Sequence, residues 1–141
     1  MNGSKTWELR KKVLPQHTDH AGVMWHGTYI NWLEESRIDS ICKAGIKYIE
    51  LLKKGFEMPV YKVEIKYLVP ILIGEEIIIK SLFIKNKGPR IKVNSKFSNI
   101  NNKIYADASV EIVLINKETF KVVRKRPDFI ESYLDNLSKA P

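Results

Sequence analysis

The stretch from Val60 to Leu114 constrains the fold most, because much of it alternates apolar and polar residues with a period of two. Tyr61, Val63, Ile65, Tyr67 and Val69 alternate with Lys62, Glu64, Lys66 and Leu68. Ile91, Val93, Ser95 and Phe97 alternate with Arg90, Lys92, Asn94 and Lys96, and Ile104, Ala106, Ala108, Val110, Ile112 and Leu114 repeat the pattern with their own polar partners. Successive strand residues point to opposite faces, so each stretch predicts a strand with one buried side. The run Ile77 to Ile84 is apolar on both faces apart from Lys80 and Ser81, as expected of a central or interface strand. Pro70, Ile73-Gly74-Glu75-Glu76, Asn86-Lys87-Gly88-Pro89 and Asn99 to Asn102 supply the breaks and turns.

The first half reads differently. Thr6 to Leu14 is a candidate strand that Pro15 ends, since proline cannot donate to a ladder. Tyr29 to Ala44 contains neither Gly nor Pro, and Ile30, Leu33, Ile38, Ile41 and Ala44 recur at helical spacing up to Gly45. Tyr29 and Trp32 widen its apolar surface, so this helix needs to be wrapped. A shorter helix is expected over Ile46 to Lys54, a short strand around Phe120 to Val123, and a terminal helix over Phe129 to Leu137 after Pro127-Asp128. One long apolar helix followed by antiparallel strands is most economically packed as a curled sheet around the helix, an α+β arrangement. The expectation is a single domain over residues 1–141, with its core from about residue 6 to 126 and a short C-terminal helix beyond.

Composition narrows the function. One cysteine, Cys42, rules out an internal disulfide framework, and no Cys/His pairing has zinc-site spacing. On the helix, Cys42 is read as packing. The start of the chain lacks an apolar signal core, and no later stretch approaches the roughly 18 apolar residues of a membrane span, so a cytoplasmic location without membrane insertion is expected. The formal charge of +8 suits an anionic small molecule. Nucleic acid is disfavoured because the strand faces bearing Lys92, Lys96 and Lys103 lack interleaved aromatics.

All three histidines, His17, His20 and His26, cluster around Asp19 in the loop before the long helix. A metal site is the weaker reading, because the spacing fits no helical ligand motif. Hydrogen-bonded turn residues are the bland reading for any single histidine. For the cluster, catalysis is favoured. The first amides of a helix lack intrahelical acceptors and carry the positive end of its dipole, so they can hold an oxyanion while a nearby carboxylate attacks or activates water. Gly22 and Gly27 let the backbone approach a substrate closely. Trp25 and Tyr29 are candidates for the wall of a substrate pocket, with core packing as the alternative. Glu34 and Arg37 read as a helix-surface pair.

The stretch Thr18-Asp19-His20-Ala21-Gly22-Val23-Met24-Trp25-His26-Gly27-Thr28-Tyr29-Ile30-Asn31-Trp32-Leu33-Glu34 resembles the signature T-D-x-x-G-V-V-x-x-x-x-Y-x-x-x-x-E of the 4-hydroxybenzoyl-CoA thioesterase family of hotdog proteins. Lys66-Tyr67-Leu68-Val69-Pro70 with Ile73-Gly74-Glu75-Glu76-Ile77, and Arg126-Pro127, resemble that family's later segments. The resemblance implies a hotdog fold and an acyl-CoA thioesterase needing no cofactor. It implies Asp19 as the catalytic carboxylate, either nucleophile or general base, and His26 as a contributor through its backbone amide or its side chain. It implies a coenzyme A nucleotide site at Lys87, Gly88 and Arg90, with Arg124 or Arg126 nearby. It also implies a homodimer, or a homotetramer made of two dimers. Pro15, His17, Pro89 and Arg90 depart from common members and bear on acyl specificity. A hotdog dehydratase is disfavoured by the absence of an H-x-x-x-x-P-x-x-P segment, and a non-catalytic acyl-CoA binder by the presence of Asp19.

Overall fold

The computed structural model describes residues 5–86 and 88–141. Strand β1 (Trp7–Lys12) leads through a turn of 3-10 helix at Pro15–His17 to the long helix α1 (His26–Lys43) and the short α2 (Tyr48–Lys53). Strands β2 (Phe56–Glu57), β3 (Val60–Tyr67), β4 (Glu76–Lys85), β5 (Arg90–Ser98), β6 (Ile104–Val113) and β7 (Ile115–Asn116) follow, and α3 (Asp128–Leu137) closes the fold. The main sheet has five strands in the order β1-β4-β5-β6-β3, every neighbouring pair antiparallel. The fold is α+β, a hotdog sheet with α1 packed along it.

The alternation read from the sequence sets the register. Leu9, Ile79, Phe97, Ala106 and Tyr67 are successive partners straight across the sheet. A one-residue slip of any strand would send such a row to the solvent face, so the buried side specifies the pairing. Helix α1 meets that face. Its Tyr29 ring lies 4.8 Å from Tyr67 and 5.1 Å from Phe97. It buries Thr28, Tyr29, Trp32, Leu33, Ser36, Arg37, Ser40 and Ile41, the three-and-four spacing of one helix face. Small Ser36 and Ser40 on that face bring helix and sheet close. The Ser36 and Ser81 hydroxyls are 3.4 Å apart, Ser81 and Ser95 are 2.7 Å apart, and Ser40 donates back to the Ser36 carbonyl, so these buried hydroxyls have partners.

Several expectations need correction. Helix α1 begins at His26, three residues before Tyr29, because Gly27 fits beneath the Trp25 ring, with which an added Cβ would collide. The expected strand at Phe120 to Val123 is reduced to a single bridge between Ile115 and Val122. Asn116 accepts the Glu118 and Thr119 amides and draws the chain into a tight turn, with Phe120 at φ 58°. Ile115–Asn116 instead pairs with Phe56–Glu57 as a small second sheet. Cys42 is exposed and does not pack. Arg37, expected on the helix surface, is buried while holding the exposed Glu34 at 2.6 Å.

Strand β3 is the far edge of the sheet, and its pattern reads differently in three dimensions. Tyr61, Val63 and Tyr67 alternate as a buried face should, yet all three are exposed. At the opposite edge α3 is tied to the start of β1: the Trp7 indole donates to the Leu137 carbonyl at 2.8 Å, and Trp7, Ile130 and Leu134 are all buried.

Candidate active site

Asp19 sits in a miniature hairpin. Thr18 and Met24 form a bridge, the Asp19 amide donates to the Val23 carbonyl (2.9 Å), and the Gly22 amide donates to the Asp19 carbonyl (3.1 Å). Gly22 turns the chain at φ 77°, a conformation that suits glycine. One carboxylate oxygen of Asp19, Oδ1, accepts the Ala21 and Val23 amides at 2.9 and 3.1 Å. Among the described residues no donor reaches Oδ2, and the side chain is exposed. The carboxylate is therefore oriented on one side and free on the other.

Helix α1 starts seven positions after Asp19, with Trp25 as a cap residue whose side chain makes no capping bond. The Thr28 amide and hydroxyl are taken by the Trp25 and His17 carbonyls. Among the described residues the His26 and Gly27 amides have no acceptor, which leaves the positive end of the helix open. His17 serves the scaffold: its Nδ1 accepts the Leu14 amide at 3.0 Å and its ring meets Trp32 edge-on at 5.1 Å.

Beside the helix start lies an apolar groove of about 280 Å³ lined by Val23, Met24, His26, Tyr29, Tyr67, Leu68, Val69 and Pro70. Burial, then the neighbouring Tyr67 and Glu75, push the Tyr29 hydroxyl up to about 12, so it stays protonated at neutral pH. His26 and Tyr29 thus share one groove, with Asp19 four residues along the hairpin from Val23. Trp25 lies outside that lining, half-exposed over Gly27 and 5.0 Å from the His26 ring.

The basic residues are elsewhere. Gly88, Arg124, Lys125 and Arg126 line a separate groove with Lys85, Asn86, Asp128 and Glu131, while the Arg90 guanidinium stacks 5.0 Å over Tyr61 at the start of β3. Lys87 lies outside the described residues. Arg126 is buried, donates to the Asn86 carbonyl and pairs with Glu131 at 3.2 Å. Among the described residues, one of its terminal nitrogens has no partner. The Asp19 hairpin is tied to the start of β4 and this cluster to its end, so at about 3.3 Å per residue roughly 30 Å separates them within one chain. Among the described residues no group of acidic, histidine or cysteine side chains could hold a metal ion, and no helix is long and apolar enough to cross a membrane.

A model of the Thioesterase-like superfamily matches residues 13–137, a span that includes the hairpin, the helix start and both grooves. The chain belongs to that superfamily. This thioesterase is 28% identical over 131 residues to a Synechocystis sp. (strain ATCC 27184 / PCC 6803 / Kazusa) protein that carries the provisional name esterase sll0410, covering 92% of this chain and 79% of the relative. Its fold matches a DHNA-CoA thioesterase from Staphylococcus aureus at a TM-score of 0.82 and 27% identity, covering 94% of this chain and 91% of that one. It also matches a 1,4-dihydroxy-2-naphthoyl-CoA thioesterase from Synechocystis at a TM-score of 0.83, 17% identity and coverages of 94% and 97%.

Two participants in this region went unnoticed in the sequence. Tyr67 closes the groove, although its period-two position marked it only as a strand residue. Glu75, part of a turn signal, is bonded to both Leu72 and Tyr105.

Proposed function

We propose that this thioesterase hydrolyses acyl-CoA, with Asp19 as the catalytic carboxylate and the His26 amide polarising the thioester carbonyl. The observation that carries the reading is the pairing of a carboxylate held on one oxygen with an open helix N-terminus and an apolar groove at its mouth. A thioester suits this equipment, because its carbonyl is electrophilic and its thiolate leaving group needs little protonation. With Asp19 as base, it takes a proton from water as the oxygen adds to the carbonyl. The C–S bond then breaks, coenzyme A leaves as thiolate and the acyl group leaves as a carboxylic acid. With Asp19 as nucleophile, a mixed anhydride forms first and water cleaves it. Turnover in heavy-oxygen water tests the second route, since label enters the Asp19 side chain only when water opens such an anhydride at the Asp19 carbonyl.

We infer further that a second copy completes the site. The β3 edge has unpaired backbone and exposed apolar side chains, the features that recruit another strand. A two-fold axis across paired β3 edges would set the Asp19 end of one copy beside the basic end of the other. Arg90 and Arg124 of that copy, with the backbone at Gly88, would then meet the coenzyme A phosphates by charge-assisted bonds. The assembly is a dimer, or two such dimers.

The test is thiol release from a panel of aromatic, short, medium and long acyl-CoAs, by the natural chain and by Asp19→Asn. Release that falls by about 10²-fold in the variant supports the reading. Equal rates remove Asp19 from the mechanism, and no release from any substrate favours a binding protein.

A further inference from the structure

We propose that Glu75 is a positioning residue for Asp19, acting as a polar strut between the sheet and the catalytic hairpin. The inference rests on Asp19 as the catalytic carboxylate. The hairpin docks on the short segment Ile71–Ile73: the Met24 amide donates to the Ile71 carbonyl at 2.7 Å, the Ile73 amide donates to the Gly22 carbonyl at 2.9 Å, and Val23 bridges Leu72. Val23 is also one of the two residues whose amides hold the Asp19 carboxylate. Whatever fixes Leu72 therefore fixes Asp19 through a single intermediate residue.

Packing does little of that work. Ile71 is buried, but Leu72 and Ile73 are about half exposed. Glu75 supplies the missing restraint. Its Oε2 accepts the Leu72 amide at 2.6 Å, and its Oε1 accepts the Tyr105 hydroxyl at 2.7 Å. Tyr105 is buried at the start of β6, so one oxygen grips the sheet and the other grips the docking segment. The backbone completes the clamp, with the Val13 amide donating to the Glu75 carbonyl and the Gly74 amide to the Val13 carbonyl, at 2.9 and 2.8 Å.

The geometry requires two polar groups at one side-chain length. Glutamine keeps a carbonyl for the Leu72 amide, and its amide can donate to the Tyr105 oxygen, since a hydroxyl serves either role. Aspartate is one methylene too short to span both partners, and alanine offers neither bond. A catalytic group displaced by about 1 Å loses up to about 10²-fold in rate.

Two measurements on the full chain test the strut. In Glu75→Ala, amide hydrogen exchange at Ala21, Val23 and Leu72 should speed up by about 10-fold while the amides of β4 and β5 stay protected. On acyl-CoA, its kcat should fall by about 10-fold with KM nearly unchanged, and Glu75→Gln should recover most of both properties. Should Glu75→Ala not fold, Tyr105→Phe carries the test, with a smaller acceleration of about 3-fold at Leu72 and Val23. Unchanged exchange at Ala21 and Val23 overturns the proposal, as does Glu75→Gln that is impaired as much as Glu75→Ala. The exchange arm needs no turnover, so a natural chain that hydrolyses nothing defeats the functional reading and leaves the strut to be judged by exchange alone.

Discussion

At the Glu76 end of β4 the chain is held by backbone hydrogen bonds among short loops, whereas at the Lys85 end it is held by charged side chains. The first end carries Asp19 in a hairpin whose amides and carbonyls bond one another and the Ile71–Gly74 segment. The second carries Lys85 paired with Glu131 and Asp135 at 3.1 and 2.5 Å, and Arg126 paired with the same Glu131. Backbone bonds in tight loops give a fixed direction, which a reacting carboxylate needs. Guanidinium and ammonium groups bond phosphate oxygens by charge-assisted hydrogen bonds, which suits an anionic ligand. On the proposed function, the first end sets rate and the second affinity.

Substitutions can break that division. Arg90→Ala combined with Arg124→Ala should raise KM for acyl-CoA by about 10-fold with kcat nearly unchanged, and added salt should shrink the difference from the natural chain. A matching loss of kcat would mean that the basic end takes part in chemistry. Val63→Asp sets a charge on the β3 edge. Sedimentation velocity should show a smaller species, and kcat/KM should fall by several-fold, because each end then lacks the partner's opposite end. A smaller species with full kcat/KM would show that one copy suffices.

Stability gives smaller effects. Arg126→Met removes the charged bonds to Asn86 and Glu131 and should cost about 2 kcal/mol in urea unfolding, while Asp19→Asn, exposed on its hairpin, should change stability far less. Alkaline pH probes the aromatic packing. Burial pushes Tyr29 and Tyr48 up to about 12, above the roughly 10 of an unfolded tyrosine. Their contribution is thus complete below about pH 10 and is lost as pH climbs toward 12. Tyr29→Phe should flatten that decline, and an unchanged slope would argue against the packing described for its ring.

Much of this protein could be read from residue order alone, because its signals are local. Period-two alternation marked β3, β5 and β6, helical spacing marked α1, and Pro70 and Gly74 marked where strands stop and turn. The segment around Asp19 stood out as well, since three histidines, a carboxylate and two glycines cluster where one helix begins. Element ends were less legible. Gly27 was read as part of the loop, yet it lies in the helix where the Trp25 ring occupies the space a side chain would need, and the bonds of Asn116 turned an expected strand into a tight turn.

What only the tertiary structure decided is adjacency and exposure. Alternation says that a strand has an apolar face, but not whether protein covers it; β3 and β5 have similar patterns, and only β5 is buried on that face. Proximity in sequence joined Asp19 to His26, yet no sequence spacing could show that Glu75 would grip Leu72 and Tyr105 together. Nor could it show that Arg124 would lie a strand's length from Asp19. Backbone geometry dictates local form within a few residues, while contacts among distant residues depend on how all the elements pack at once.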